Sequence, residues 1–178
     1  MNRIFDGKLY VAYSQAYIHA DEDADFLDED GFAGQKNGLC GAALTNSLFL
    51  ITGLNTGHVN FSIDLCDSEP PIDPTWEEVV ETPFNLTMSD FMIDFGLYNW
   101  DYELVVPIPL NIGTYRVRYS AKGMERGRTK DTILSDEEPV DSYLLEFWAS
   151  PLKPDAIIKQ TSDIAAYWHN AINELGAE

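Results

Sequence analysis

Apolar and polar residues alternate with a period of two along most of the first 150 positions of the chain. The alternation is clearest over residues 58–65, and it recurs over residues 9–13, 80–86 and 91–95. Because successive side chains of a β-strand point to opposite faces, this pattern predicts strands with one buried face. Residues 48–51 are instead a continuous apolar run, which is typical of a strand covered on both faces.

Turn signals between these segments predict two antiparallel hairpins. The turn at residues 55–57 joins the apolar run to the strand that follows it, and the turn at residues 111–113 joins residues 102–110 to residues 114–121. Two prolines in the first strand of the second hairpin remove backbone donors, which places that strand at a sheet edge or a bulge.

The period changes near the C-terminus. Ile164, Trp168, Ile172 and Leu175 are spaced to share one face of a helix, and Ser162 is a suitable N-cap residue. The sequence therefore predicts a mainly β fold: an antiparallel β-sandwich of about eight strands over residues 1–150, with one amphipathic α-helix as a C-terminal appendage over residues 151–178. We interpret residues 1–178 as a single domain.

Charge narrows the classes of partner. The chain has 178 residues, 30 acidic and 11 basic side chains, and a formal net charge of −19. Binding to nucleic acid depends on lysine and arginine side chains that neutralise phosphates, so we predict no nucleic-acid partner, and an anionic membrane is disfavoured for the same reason. A strongly acidic surface favours a basic protein as the partner.

The N-terminal segment has no apolar leader, and the longest apolar stretch, residues 48–54, is too short to span a membrane. These features predict a cytoplasmic protein. The two cysteines, Cys40 and Cys66, are then expected to be reduced. No cofactor or oligomeric state is indicated by the sequence.

The acidic residues fall into clusters that we predict to contact the partner, together with two tryptophans near loops. Docking of a charged surface steers the encounter and excludes wrong partners, and exposed aromatic residues can anchor the contact. The predicted partner-binding residues are Asp21, Glu22, Asp23, Asp25, Asp28, Glu29, Asp30, Trp76, Glu77, Glu78 and Trp100.

Calcium is the alternative ligand of the acidic clusters. An EF-hand loop that starts at Asp21 fails, because Phe26 occupies the position of the required glycine and Phe32 that of the bidentate glutamate. A looser site between loops stays open. An acidic β-sandwich module that binds calcium or carbohydrate is therefore the second functional hypothesis, although the sequence contains no defined metal site.

Catalytic signatures are absent from the sequence. The chain has three histidines and contains no H-E-x-x-H, C-x-x-C, G-x-S-x-G or Walker motif. Glu77 and Glu78 are adjacent, so in a strand they would point to opposite faces and could not act as a carboxylate pair. We therefore predict a non-enzymatic interaction protein.

A family resemblance agrees with this interpretation. The segment 9–15, the strands at 48–54 and 59–65, the turn at 109–115 and the segment 142–147 together resemble competence protein J, a family of small bacterial inhibitors of the DNA-entry nuclease. The resemblance covers about residues 8–150 and is carried mainly by strand and turn patterns. It implies an inhibitor or immunity-type protein that occludes a nuclease. The acidic loop at 21–30, the basic segment at 122–130 and the C-terminal helix depart from the family pattern.

Overall fold

The computed structural model describes residues 1–20, 30–87, 96–98 and 105–175 of the chain. The larger of its two sheets has six strands. In spatial order they are β1 (Asn2–Val11), β5 (Gly57–Leu65), β10 (Ser142–Ala149), β9 (Gly113–Lys122), β6 (Glu78–Leu86) and β11 (Ala156–Lys159).

The smaller sheet has five strands. In spatial order they are β3 (Cys40–Gly41), β4 (Ser47–Ile51), β2 (Gln15–His19), β7 (Gly96–Tyr98) and β8 (Val105–Pro107). β8 is the last strand of this sheet, so the edge position that Pro107 indicated is confirmed. A 3-10 helix, Asp30–Phe32, packs beside β4.

Apolar side chains from both sheets form one core, as expected for a β-sandwich. The alternate residues Val59, Phe61 and Ile63 of β5 are buried, and so is every residue of β4. Each large apolar side chain buried in this way stabilises the fold by about 1.5–3 kcal/mol. The one-sided burial predicted for β5 and the two-sided burial predicted for β4 are both confirmed.

Both predicted hairpins are wrong. β4 lies between β3 and β2 in the smaller sheet, whereas β5 lies between β1 and β10 in the larger one. β8 and β9 are likewise in different sheets. The turn signals correctly locate where the chain leaves a strand, but a turn residue does not encode whether the next strand pairs with the last one or crosses to the other sheet.

The sheets are also not purely antiparallel. β5 and β10 pair in parallel, with Phe61 opposite Tyr143 and Ile63 opposite Leu145. The chain can make this pairing because about 75 residues separate the two strands, far more than a parallel crossover needs. The described residues contain eleven strands rather than about eight. Among the strands that were not predicted, β3 and β11 have only two and four residues, too short to produce an alternation, and β2 is a separate strand directly after β1.

The described residues contain two α-helices, both in the second half of the chain: α1 (Met124–Lys130) and α2 (Asp163–Leu175). α2 confirms the predicted C-terminal helix, and the hydroxyl of Ser162 accepts a hydrogen bond from the backbone N–H of Ala165 at 3.2 Å, as an N-cap does. The two helices pack on each other. No helix in the described parts of the chain has the length and apolarity to cross a membrane.

Candidate functional site

Most of the predicted acidic contact loop lies outside the described residues. This applies to Asp21, Glu22, Asp23, Asp25, Asp28 and Glu29, and also to Trp100. Asp30 is the one member of the loop that is described, and it is exposed in the first turn of the 3-10 helix.

The second predicted group, Trp76 to Glu78, leads into β6 and is partly used by the fold itself. Glu78 is 1 % exposed, and its carboxylate accepts hydrogen bonds from the backbone N–H groups of Thr161 and Ser162 at 2.9 and 2.8 Å. Glu77 accepts a hydrogen bond from the backbone N–H of Gly123 at 2.7 Å. Trp76 and Glu77 are half-buried, so they retain some surface for a partner.

Charged side chains on the outer face of the larger sheet form a buried cluster. Arg118 is 1 % exposed and donates from Nε and Nη2 to Oε1 of Glu81 at 3.0 and 2.9 Å. Arg116 donates to the other oxygen of Glu81 at 3.0 Å, and Nη1 of Arg118 lies 3.7 Å from Oε2 of Glu146. We call Glu81, Arg116, Arg118 and Glu146 the outer-face ion cluster.

The outer-face ion cluster is closed by further contacts within the chain. Arg118 also donates to the backbone carbonyl of Pro70 at 2.7 Å, and its guanidinium carbon lies 5.1 Å from the ring centroid of Trp148. Burial raises the pKa of Glu146, against the lowering influence of Arg118. Arg116 also donates from Nη1 to the carbonyls of Lys153 and Pro154 at 2.9 and 2.8 Å, so both arginines of the cluster are bonded mainly within the chain.

Pairing of these arginines with buried carboxylates removes as many acidic as basic groups, so the rest of the surface keeps the acidic excess of the chain. Arg116 and Arg118 are buried against Glu81, and Arg3 pairs with the buried Asp64 through Nε and Nη2 at 2.8 and 2.9 Å. These three basic residues are therefore neutralised locally. The remaining surface of the described residues keeps acidic groups such as those of the loops 67–73 and 136–138.

The chain passes between the sheets twice at one end of the sandwich, through residues 12–14 and residues 52–56. The two segments bond to each other: the N–H of Ser14 donates to the carbonyl of Asn55 at 3.0 Å, and the N–H of Thr52 donates to the carbonyl of Ser14 at 2.9 Å. Together with α1 and the first half of α2, they form what we call the crossover end.

A buried carboxylate stabilises the crossover end. Asp141 is 0 % exposed. Its Oδ2 accepts hydrogen bonds from the Tyr143 hydroxyl at 2.6 Å and from the N–H of Leu54 at 3.0 Å. The Tyr143 hydroxyl in turn accepts a hydrogen bond from the N–H of Gly53 at 2.6 Å. Burial raises the pKa of Asp141 and raises that of Tyr143 well above its ordinary value. These bonds fix the course of the chain between the sheets.

Each of the two helices also makes a close contact with a neighbouring segment of the chain. A Cβ on Gly53 would lie 2.2 Å from the carbonyl oxygen of Met124, so only glycine permits this approach. Nδ1 of His169 accepts a hydrogen bond from the N–H of Gly38 at 2.9 Å. Burial lowers the pKa of His169 to about 4, a shift that the nearby Asp155 carboxylate opposes, so the imidazole is neutral at pH 7.

A cavity of about 270 Å³ opens at the crossover end. Its aromatic wall comes from Tyr13, Tyr167 and Trp168, and its charged group is Arg128 of α1. Tyr13 and Tyr167 are 66 % and 60 % exposed, so their rings are accessible at the cavity. Ser14, Thr52, Gly53, Asn55 and Ile164 complete the lining.

The backbone beneath this cavity is strained. Tyr13 and Ser14 have φ values of 56° and 59°, consecutive residues in the left-handed region that favours glycine. Each such residue costs of the order of 1 kcal/mol, and strain of this kind concentrates at functional sites. A second cavity, of about 370 Å³, lies between residues 42–45 and 152–154 and is lined mostly by small or apolar groups.

No group of three or more histidine, cysteine or carboxylate side chains in the described ranges is arranged to hold a metal ion. The calcium hypothesis rested most heavily on the loop 21–30, of which only Asp30 is described. Cys40 and Cys66 are free thiols, and burial raises the pKa of both.

Comparison with known proteins identifies a similar fold. No family model matches the chain, and neither does any curated protein. Among solved structures, the chain is similar to ComJ from Bacillus subtilis, described as an inhibitor of the DNA degrading activity of NucA, with a TM-score of 0.50 and 16 % identity over 84 % of this chain and 98 % of that one. The similarity confirms the predicted resemblance to competence protein J at the level of the fold.

A second solved structure, described as crocagin biosynthetic gene J, has a TM-score of 0.44 and 10 % identity, over 83 % of this chain and 99 % of that one.

The sequence analysis predicted neither the outer-face ion cluster nor the crossover end. Arg116 and Arg118 stood out only as part of a basic stretch, although their spacing of two places them on one face of β9. The available signals were two charged residues spaced by two within β9 and a single carboxylate, Glu81, among the apolar residues of β6. No comparable signal marked Tyr13, because its left-handed backbone follows from the bonds between residues 14 and 52–55.

Proposed function

We propose that this protein is a non-enzymatic inhibitor that docks through an acidic surface onto a basic nuclease and blocks its substrate site. The predicted contact surface is the loop 21–30, extended by Trp76, Glu77 and Trp100. A nuclease groove is built to receive phosphates, and a carboxylate-rich surface can occupy it without offering a bond to cleave.

The observation that carries the proposal is the acidic excess of the surface. The chain has 30 acidic and 11 basic residues, and Arg3, Arg116 and Arg118 are already paired with the buried carboxylates Asp64, Glu81 and Glu146. Eight basic residues remain to offset the other acidic groups. The resulting potential favours association with a basic protein and repels nucleic acid.

The similarity in fold to ComJ supports an inhibitor in particular. ComJ is described as an inhibitor of the DNA degrading activity of NucA, and almost its whole length, 98 %, aligns with this chain. An identity of 16 % supports no transfer of contact residues, so NucA serves here as the first nuclease to test.

The test measures degradation of plasmid DNA by purified NucA, and then by a panel of other basic nucleases, as the protein is added. We expect the rate of degradation to fall in proportion to added protein and to saturate near a one-to-one ratio, with no binding of the protein to DNA. Absence of inhibition of NucA would exclude that partner. Absence across the panel would contradict the inhibitor function.

The contact surface is tested with two variants of equal charge. One replaces Asp21, Asp23, Asp25, Asp28 and Asp30 by asparagine. The control neutralises five exposed carboxylates elsewhere: Asp67, Glu69, Asp73, Asp136 and Glu138. We expect the first variant to associate at least tenfold more slowly at low salt, with a smaller change in dissociation, and the control to stay within about threefold of the unmodified protein. Equal association rates for both variants would remove the loop from the mechanism.

A further inference from the structure

Arg128 at the crossover end is an exposed cation on α1 of a strongly acidic protein. Its side chain forms no ion pair or hydrogen bond with any of the described residues. The two carboxylates three residues before and after it in sequence accept other hydrogen bonds: Glu125 from the N–H of Ile164 at 3.3 Å, and Asp131 from the hydroxyl of Thr132 at 3.0 Å.

The walls of the cavity that Arg128 lines offer aromatic faces and edges. Tyr167 and Trp168 meet edge to face, with ring centroids 5.3 Å apart and an interplanar angle of 74°. Tyr13 and Ile164 contribute further apolar surface to the lining. An arrangement of rings already held at an angle is suited to receive one more ring, by stacking or by edge contact.

The backbone of the cavity floor is held in place before any ligand enters. The bonds between Ser14, Thr52 and Asn55 and the close approach of Gly53 to Met124 hold the segments that carry the lining residues. A site that is ordered in advance loses less entropy on binding. The volume of about 270 Å³ is just below the 300–1,000 Å³ common for ligand pockets, which suits a single ring with one acidic group.

We propose that this cavity binds an aromatic carboxylate, with the ring against Tyr13, Tyr167 and Trp168 and the carboxylate on the guanidinium of Arg128. The cation and the aromatic walls together favour this class of ligand. A small anion would not contact the aromatic walls, and a neutral ring would not pair with the guanidinium. The proposal is independent of the acidic contact surface and concerns a different class of ligand. Both a free aromatic acid and the C-terminal phenylalanine of a peptide carry these groups.

The test is an NMR titration of the ¹⁵N-labelled full chain with matched probes. Phenylacetate carries ring and charge, phenylacetamide only the ring, and acetate only the charge. We expect phenylacetate to shift the amides of residues 13–15 and 52–55 and the indole signal of Trp168, with an affinity at least tenfold above that of the other two probes. Equal binding of phenylacetate and phenylacetamide, or shifts confined to other regions, would overturn the proposal.

Two variants on one helix separate the site from general charge. Arg128→Gln removes the cavity cation, whereas Arg126→Gln removes an exposed arginine that does not line the cavity. We expect the first to weaken phenylacetate binding tenfold or more and the second to change it less than twofold. Equal losses would contradict the assignment. The comparison of acid and amide in the unmodified protein holds even if a variant fails to fold.

The source of the ligand is distinguished by a further pair of probes, the peptide acetyl-Gly-Ser-Phe with a free C-terminus and its C-terminal amide. Tenfold tighter binding of the acid peptide than of phenylacetate identifies a peptide terminus as the ligand. Binding no tighter than that of phenylacetate identifies a small aromatic acid. Binding of the peptide amide as tight as that of the acid would count against the role of Arg128.

Discussion

The outer face of the larger sheet and the crossover end both bring together charged and polar groups from distant parts of the chain. At the outer face the charged groups pair with one another, whereas at the crossover end one cation stays exposed. At the outer face, Arg118 is 1 % exposed and its donors reach Glu81 and the carbonyl of Pro70. At the crossover end, Arg128 is exposed at a cavity beside two largely exposed tyrosines.

The difference shows how to distinguish a structural charge from a functional one. The members of a buried ion cluster contribute to the fold, so removal of one member lowers the stability of the protein. An exposed cation next to strained backbone contributes little to the fold, so its removal should affect binding and leave stability unchanged. Four predictions test this contrast, in decreasing order of expected effect.

The largest effect is expected at the centre of the outer-face ion cluster. Glu81→Ala would leave the buried guanidinium groups of Arg116 and Arg118 without their carboxylate. We expect the free energy of unfolding to fall by about 3–5 kcal/mol, measured by urea denaturation. As a control, Glu69→Gln changes a carboxylate that is 3.7 Å from Arg118 but 66 % exposed, and should cost well under 1 kcal/mol. Similar losses for the two variants would refute the distinction.

His169 should make stability depend on pH. Its pKa is lowered from 6.5 to about 4 in the folded state, so between these pH values the unfolded chain binds a proton that the folded protein does not. Stability is therefore lost as the pH falls through this window, by at most about 3 kcal/mol. We expect urea denaturation to show this fall in the free energy of unfolding between pH 7 and pH 4.

The control for this prediction is His169→Asn, which can still accept a hydrogen bond from the N–H of Gly38 but does not titrate. The raised pKa values of Asp141 and Glu146 act in the opposite direction and are common to both proteins. The difference between the two pH profiles therefore reports His169 alone. Parallel profiles would show that His169 has no such role.

Gly53→Ala tests the close packing of the crossover end. The added Cβ would lie 2.2 Å from the carbonyl oxygen of Met124, so α1 must move away from the crossover segment. We expect a loss of about 2 kcal/mol in thermal or urea unfolding. Gly113→Ala is the matched control, because its Cβ would meet only ordinary contacts at 3.9 Å or more. A loss at Gly53 no greater than that at Gly113 would argue against tight packing here.

The smallest effect is a gain in stability. Ser14→Gly places glycine at a φ of 59°, which relieves the left-handed strain. We expect a gain of up to about 1 kcal/mol in the free energy of unfolding, reduced by the greater flexibility of glycine in the unfolded chain. Ala12→Gly, a buried residue without a positive φ, should instead lose stability. A loss in both variants would mean that the strain at Ser14 is negligible.

Local periodicity was enough to predict three of the elements. Alternation identified β5, a continuous apolar run identified β4, and the 3.6-residue spacing with Ser162 as its cap identified α2. These predictions succeeded because the burial of one face is set by neighbouring residues along the chain, whatever the partner strand is.

Contacts between distant residues set which sheet each strand joins and which charged groups pair. The crossing of the chain at residues 52–56 and the parallel pairing of β5 with β10 depend on contacts between residues far apart in sequence. The same holds for the pairing of Arg118 with Glu81 and for the cavity beside Arg128. Their energies arise only once distant segments have met, so a local pattern can mark a charge inside a strand but not the residue with which it pairs.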